Sequence, residues 1–251
     1  MYNFFADKSN RHGDCYIING ADHNHIKNVL RMRCGENILV SENGISNLCE
    51  IASIDDDFTT VRIIEEAYQD TNLPIKIYLF QGLPKSDKME LIIQKAVELG
   101  AEGIVPVEMS RCVVRLDDKK KGSKVSRWQS IAESAAKQSK RNSIPEVYGI
   151  ISYKQMLERI SDFDVFLVPY ESEDGMNSTK NALSDIKKGS KVAILIGPEG
   201  GFEEKEIESA KNKGGKIISL GKRILRTETA AITAVGMCML YAEINLNGEN
   251  E

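Results

Sequence analysis

Residues 192–196, Val-Ala-Ile-Leu-Ile, form an unbroken apolar run that stops at Gly197-Pro198-Glu199-Gly200-Gly201, and this junction constrains the fold more tightly than any other stretch. Such a run fits a strand buried on both faces of a parallel sheet, and the glycine-proline pair ends it. Gly197, Gly200 and Gly201 bracket Glu199, so the backbone there can take positive φ and lie very close to a bound molecule. The pattern then repeats. After a short helix, Ile217, Ile218 and Leu220 form an apolar strand, Gly221 ends it, and a loop with Arg223 and Arg226 enters a helix at Thr227 and Glu228. Two glycine-marked loops leaving the same edge of a parallel sheet are where open α/β folds bind ligands.

Upstream, residues 1–72 carry short β-like runs at 15–18, 37–41, 48–52 and 59–64, with a helix over 21–32 behind Asp22. A small β-barrel is predicted. Six Lys/Arg stand against twelve Asp/Glu in residues 1–72, so any RNA contact there is confined to one edge. Arg31 and Arg33, with His23 and His25, are the candidates; the other reading is a polar helix start with solvated arginines. Residues 65–74 are polar and end in Pro74, which divides the chain into domains 1–72 and 73–251. Beyond the linker, strands at 75–80, 104–107 and 163–171 alternate with helices at 87–99 and 127–141, and a last helix spans 229–244. Residues 173–190 read as a loop with a weak helix, and 247–251 as a loose tail.

A net charge of −4 gives no global basic field, so a polyanion has to be met by a local patch. Residues 111–141 hold one, ten Lys/Arg against three acids, including Arg111, Arg115, Arg127, Lys137 and Arg141. It is either an RNA face or a solvated one. Six phosphate contacts would make log K fall with log salt at a slope of about −5. Trp128 reads as core rather than as a base-stacking platform. Five cysteines without a CxxC pair argue against a disulfide framework or zinc site, and His23 and His25 lack a third ligand, so no metal is expected. No long apolar run is present, which predicts a soluble, cytoplasmic chain with no membrane partner. Neither GxGxG after the first α/β strand nor GxxxxGK[ST] occurs, which disfavours Rossmann-type cofactor binding and NTP hydrolysis.

GPEGGF at 197–202 and LGKRILRTETA at 220–230 resemble the motifs of the SPOUT methyltransferases, and within them the RsmE family, which methylates N3 of a uridine in 16S ribosomal RNA. LPKSDKME at 83–90, AVELG at 96–100 and HIKNVLRMRCG at 25–35 extend the resemblance over most of the chain. One departure is Asn3 before Phe4-Phe5, where the family usually has an arginine. The resemblance implies an α/β fold with a mainly parallel sheet and a C-terminal deep trefoil knot, behind an N-terminal PUA-like β-barrel that binds RNA. It implies S-adenosylmethionine held by the loops after Val168, Ile196 and Leu220. Pro169, Tyr170, Gly197, Pro198, Glu199, Gly200 and Gly201 would surround it, with Gly221, Ile224, Leu225, Thr229 and Ala230. It further implies 16S ribosomal RNA or the small ribosomal subunit as substrate, and a homodimer with the pocket near its interface.

N3 of uracil is a protonated imide nitrogen, and removing its proton leaves charge largely on O2 and O4. A guanidinium held against one of those oxygens contributes about 1.5–3 kcal/mol, on the order of one to two pKa units. Arg226 and Arg223 lie on the loop where this is needed. Glu199 and Glu228 are candidate proton acceptors, although Glu199 can instead hold the glycine turn and Glu228 can cap the last helix. Two rivals stay open: a SPOUT ribose 2′-O-methyltransferase, which differs at the last motif, and a non-catalytic assembly factor that grips ribosomal RNA through residues 111–141.

Overall fold

The computed structural model describes residues 1–171 and 175–247, so Glu173 and the tail beyond Asn247 lie outside the described residues. By compactness the chain forms two units, Met1–Asn72 with Ala136–Ile144, and Leu73–Ala135 with Pro145–Glu251.

In the first unit β1 (Asn3–Phe5), β2 (Arg11–His12), β3 (Cys15–Asn19), β4 (Asn37–Glu42), β5 (Ile45–Ile54) and β6 (Phe58–Gln69) make a six-stranded sheet in the order β1-β4-β5-β6-β3-β2. All pairs are antiparallel except β1 with β4. Alternation along the strands sends Tyr16, Ile18, Ile38, Val40, Cys49, Ile51 and Val61 into one core with Phe4 and Ile26. A buried polar cluster sits beside it: the Tyr16 hydroxyl donates to Glu42 Oε2 at 2.9 Å and accepts from Asn47 Nδ2 at 2.8 Å. Burial, reinforced by the Glu42 carboxylate, pushes the Tyr16 phenol up to about 12.

The helix predicted over 21–32 is shorter. It consists of α1 (Gly20–Asn24) and a π-helical turn, His25–Val29, that stops before Arg31. His23 does not reach the surface edge. It is buried, with Nδ1 2.9 Å from Thr59 Oγ1 and Nε2 3.1 Å from the Asp56 carbonyl. Residues 136–144 join this unit through specific bonds: Asn3 Nδ2 donates to the Arg141 carbonyl at 3.0 Å, Lys137 pairs with Asp22 at 2.7 Å, and Asn142 Nδ2 donates to the Gln69 carbonyl at 3.1 Å.

The second unit is organised on a parallel sheet of β7 (Lys76–Gly82), β8 (Gly103–Glu108), β9 (Glu146–Val147), β10 (Ile151–Ser152), β11 (Val165–Pro169), β12 (Lys191–Ile196) and β13 (Lys216–Ile218). The order is β10-β8-β7-β12-β11-β13 with β9 on β8, and every pair is parallel. β12 is central, and its Val192, Ala193, Ile194 and Leu195 are fully buried, as an uninterrupted apolar run requires.

The helices are α2 (Lys88–Glu98), α3 (Asp118–Gln138), α4 (Tyr153–Arg159), α5 (Asn177–Ser184), α6 (Glu204–Asn212) and α7 (Thr227–Leu246). Helix α2 buries Met89, Ile92, Ile93, Ala96 and Val97 along one stripe. Trp128 on α3 is buried, as read from the sequence. The sequence reading missed α4, although Ser152 and Gln155 form a capping box at its start. Helix α7 buries Ala231, Ala234, Val235, Cys238 and Ala242 and packs against β7, β12 and α2. By length and composition alone α7 is also apolar enough to cross a membrane.

Candidate active site at the carboxyl edge

Strand order brings the expected loops together. β11 lies between β12 and β13, and all three run parallel, so the loops that follow them leave one edge of the sheet. These loops close a pocket of about 690 Å³. The loop after β11 supplies Pro169, Tyr170 and Glu171. Ile196, Gly197, Pro198, Glu199, Gly200, Gly201 and Phe202 follow from β12. Leu220, Gly221, Ile224, Leu225 and Arg226 come from the third loop, and Ala230 from α7. The Tyr170 and Phe202 rings meet edge to face at 6.2 Å and close one wall.

Buried hydroxyls fix the loops. Thr227 Oγ1 donates to the Gly197 carbonyl at 2.7 Å and accepts from Gln81 Nε2 at 3.0 Å, so β7, the second loop and the start of α7 share one hydrogen-bond chain. Thr179 on α5 donates to the Ser219 carbonyl at 2.7 Å and accepts from the Ser219 amide at 3.1 Å, which anchors the third loop.

The glycines serve two different needs. Gly201 has φ of 67°, the conformation expected of it, and Gly221, which ends its strand, has φ of 102°. Gly197 and Gly200 do not take positive φ, and the reason for glycine there is crowding. A Cβ on Gly197 would meet the Phe202 ring at 3.2 Å, and one on Gly200 would meet Arg111 Cβ at 3.0 Å. Arg111 also donates from Nη1 to the Gly200 carbonyl at 3.1 Å, so this member of the basic segment braces the glycine loop.

Electrostatics centre on Lys88, which the sequence reading did not single out. Its Nζ lies 3.1 Å from Glu199 Oε1 and 3.3 Å from Glu228 Oε2. The Lys85 amide also donates to Glu199 Oε1, at 3.0 Å. Burial acts to raise the Glu199 carboxyl, but the Lys85 amide, its own amide and the Lys88 ammonium outweigh it and hold it below the usual carboxylate range. The bond to Glu199 correspondingly pushes Lys88 above its ordinary value. A carboxylate depressed in this way is a poor proton acceptor, which counts against Glu199 as a general base.

Not every predicted residue reaches the pocket. Val168 is buried within β11 and Thr229 is exposed on α7; neither lines the cavity. Of the predicted RNA contacts, Arg31, Arg33, Arg111 and Arg115 are exposed. Arg127 pairs with Glu90 at 2.8 Å, and Lys137 with Asp22. Arg141 is only 6% exposed, so it does not belong to a surface patch; helical spacing counted its charge without revealing that α3 ends at Gln138 and turns it inward. No group of three or more His, Cys, Asp or Glu able to hold a metal occurs among the described residues.

A parallel sheet whose carboxyl-edge loops wall one small-molecule pocket defines a ligand-binding α/β domain, and the family models give its class. Residues 71–239 match the RNA methyltransferase domain and residues 18–64 the RNA methyltransferase PUA domain. The ribosomal RNA small subunit methyltransferase E of Bacillus subtilis (strain 168) is 43% identical over 91% of both chains. The crystal structure of the enzyme of the same name from Neisseria gonorrhoeae, bound to S-adenosyl methionine, superposes with a TM-score of 0.83 at 31% identity, covering 96% of this chain and 97% of that one. A putative methyltransferase of Legionella pneumophila, in complex with the same cofactor, superposes with a TM-score of 0.81 at 30% identity, covering 95% and 96%. The chain belongs to the ribosomal RNA small subunit methyltransferase E family.

Proposed function

We propose that this protein transfers a methyl group from S-adenosylmethionine to N3 of a uridine in 16S ribosomal RNA, free or within the small ribosomal subunit. The observation that carries the reading is the pocket itself, whose third loop presents Arg223 and Arg226, both exposed, beside a cavity of cofactor size. The residues fit the cofactor. The volume of about 690 Å³ is in the range of small-molecule sites, and Ile196, Phe202 and Leu225 offer apolar surface for an adenine. Main-chain groups of 197–201 and 220–225 would meet the ribose and base edges, because crowding at Gly197 and Gly200 leaves the backbone as the lining. When bound, the cofactor supplies a methyl carbon on a sulfonium that departs as a neutral thioether.

The protein's own task is to hold uracil in line and stabilise its anion. Arg226, helped by Arg223, would bind the oxygen on which charge develops as the N3 proton passes to water; that charge is then discharged as N3 bonds to the methyl carbon. Glu199 and Glu228 are both engaged by Lys88, which supports a holding role for them rather than base catalysis. Glu199→Gln and Glu228→Gln are each expected to keep kcat within about five-fold of wild type. Loss of a true general base costs roughly 10²–10⁴-fold, and a fall of that size in either variant would restore the carboxylate to that role. Titration calorimetry with S-adenosylmethionine tests the reading itself: measurable heat is expected, and its absence would favour a non-catalytic RNA binder.

Residues 1–72 are proposed as the PUA-like RNA-binding domain and 73–251 as the methyltransferase domain. In the second, Arg111 and Arg115 supply RNA contacts, joined by Arg31 and Arg33 of the first. Arg115→Ala should reduce the steepness of the salt dependence of RNA binding by about one, whereas Arg141→Ala, buried, should leave that slope unchanged. Equal slopes for Arg115→Ala and wild type would remove Arg115 from the interface.

Insertion of β12 between β7 and β11, with Thr227 bonded to Gly197, supports a trefoil knot in this region. The exposed Leu240 and Ile244 of α7 and Leu91 of α2 support a homodimer that covers them. A ribosomal substrate supports a cytoplasmic location.

A further inference from the structure

Lys88 belongs to none of the three glycine and arginine loops, yet it lines the same pocket. Its position is fixed, since it opens α2 and its neighbour Met89 is buried. The two carboxylates it meets come from different loops, Glu199 from the turn after β12 and Glu228 from the first turn of α7. The Glu228 side chain is only 14% exposed, and its buried Oε2 makes no well-directed hydrogen bond, so the Lys88 ammonium at 3.3 Å is what compensates that oxygen. On the same pocket wall Lys222, Arg223 and Arg226 are exposed and form no ion pair among the described residues. Four cations therefore line one pocket with the acids Glu171 and Glu199, Glu228 meets Lys88 beside it, and the two paired acids, Glu199 and Glu228, are engaged by the cation that stands outside the third loop.

We propose that Lys88 is a positioning residue which occupies Glu199 and Glu228 and thereby leaves the Arg226 guanidinium free for the substrate. The inference rests on the reading that Arg226 stabilises a uracil anion. Without Lys88, Glu228 would be a poorly solvated carboxylate two residues from Arg226. An internal Arg–carboxylate pair would compete directly with the Arg–oxyanion contact on which the rate depends.

Steady-state methyl transfer and cofactor calorimetry test this on the full chain. Lys88→Met should lower kcat about ten-fold while the cofactor Kd stays within about three-fold, because a charged hydrogen bond in the transition state is weakened and the cofactor walls are not. Lys88→Arg should keep most of the activity. The decisive variant is Lys88→Met/Glu228→Gln, which removes the competing carboxylate and should recover kcat to within about three-fold of Glu228→Gln alone. A structural role alone would not give this recovery. Wild-type kcat in Lys88→Met, or a double variant as slow as Lys88→Met, overturns the inference and leaves the methyltransferase reading standing; an inactive wild type overturns both.

Discussion

Arg226→Ala is expected to lose about ten- to a hundred-fold in kcat at unchanged cofactor affinity, since a charged hydrogen bond to a developing anion contributes about 1.5–3 kcal/mol. Arg226 is exposed at the N-cap of α7, and its loop is anchored by Thr227 and Ser219, so truncation should not move the walls of the pocket. The pH profile separates this role from simple binding. An arginine that stabilises the uracil anion lowers the pKa of the N3 proton. Below that pKa the rate rises with pH as the anion fraction grows. In the variant the pKa is higher by about one to two units, so its rate should go on climbing after the wild type has levelled off, and the deficit should shrink at alkaline pH. A deficit that is constant with pH would assign Arg226 to orientation alone, and near-normal turnover would remove it from the chemistry.

Gly82→Ala is expected to be the most damaging single-methyl change near the site. Gly82 ends β7, and a Cβ there would lie 2.7 Å from both Pro198 N and Pro198 Cδ and 2.9 Å from Met109 Sδ. The methionine end can move, but the proline backbone begins the glycine loop and is tied to α7 through Gly197 and Thr227. Overpacking of this kind costs about 1–3 kcal/mol. The displacement should also reach the cofactor walls, so calorimetry should show at least ten-fold weaker S-adenosylmethionine binding together with a lower denaturation midpoint. A variant with wild-type stability and affinity would mean that Pro198 and its loop yield more easily than their hydrogen bonds imply.

Much of this site is legible in the sequence because its signals are local. The apolar run of β12, the glycine turn and the arginine-bearing third loop are each written in consecutive residues, and the parallel order of β11, β12 and β13 then brings them together. What escaped depends on residues far apart in sequence. Lys88 reads as an ordinary first-turn lysine until Glu199 and Glu228 are folded against it. Gly200 reads as a positive-φ glycine, whereas the real constraint is Arg111 pressed against it from another strand's loop. Arg141 counts as one more surface charge in a basic run, and only the bond from Asn3 to its carbonyl and the burial of its side chain show that it belongs to the interior. The short β9, β10 and α4 carry too few residues to show a period, so alternation could not reveal them.

Methyl transfer to a uracil nitrogen by the arginine-bearing pocket is tested with methyl-labelled S-adenosylmethionine and small ribosomal subunits, and with their naked RNA, from a strain lacking this protein, followed by nucleoside digestion and mass spectrometry. One labelled product is expected, a uridine carrying the added methyl on N3 of the base, formed by the wild-type protein and strongly reduced with Arg226→Ala. Label on the ribose, or no label on either substrate from a protein that binds the cofactor, would rule this chemistry out.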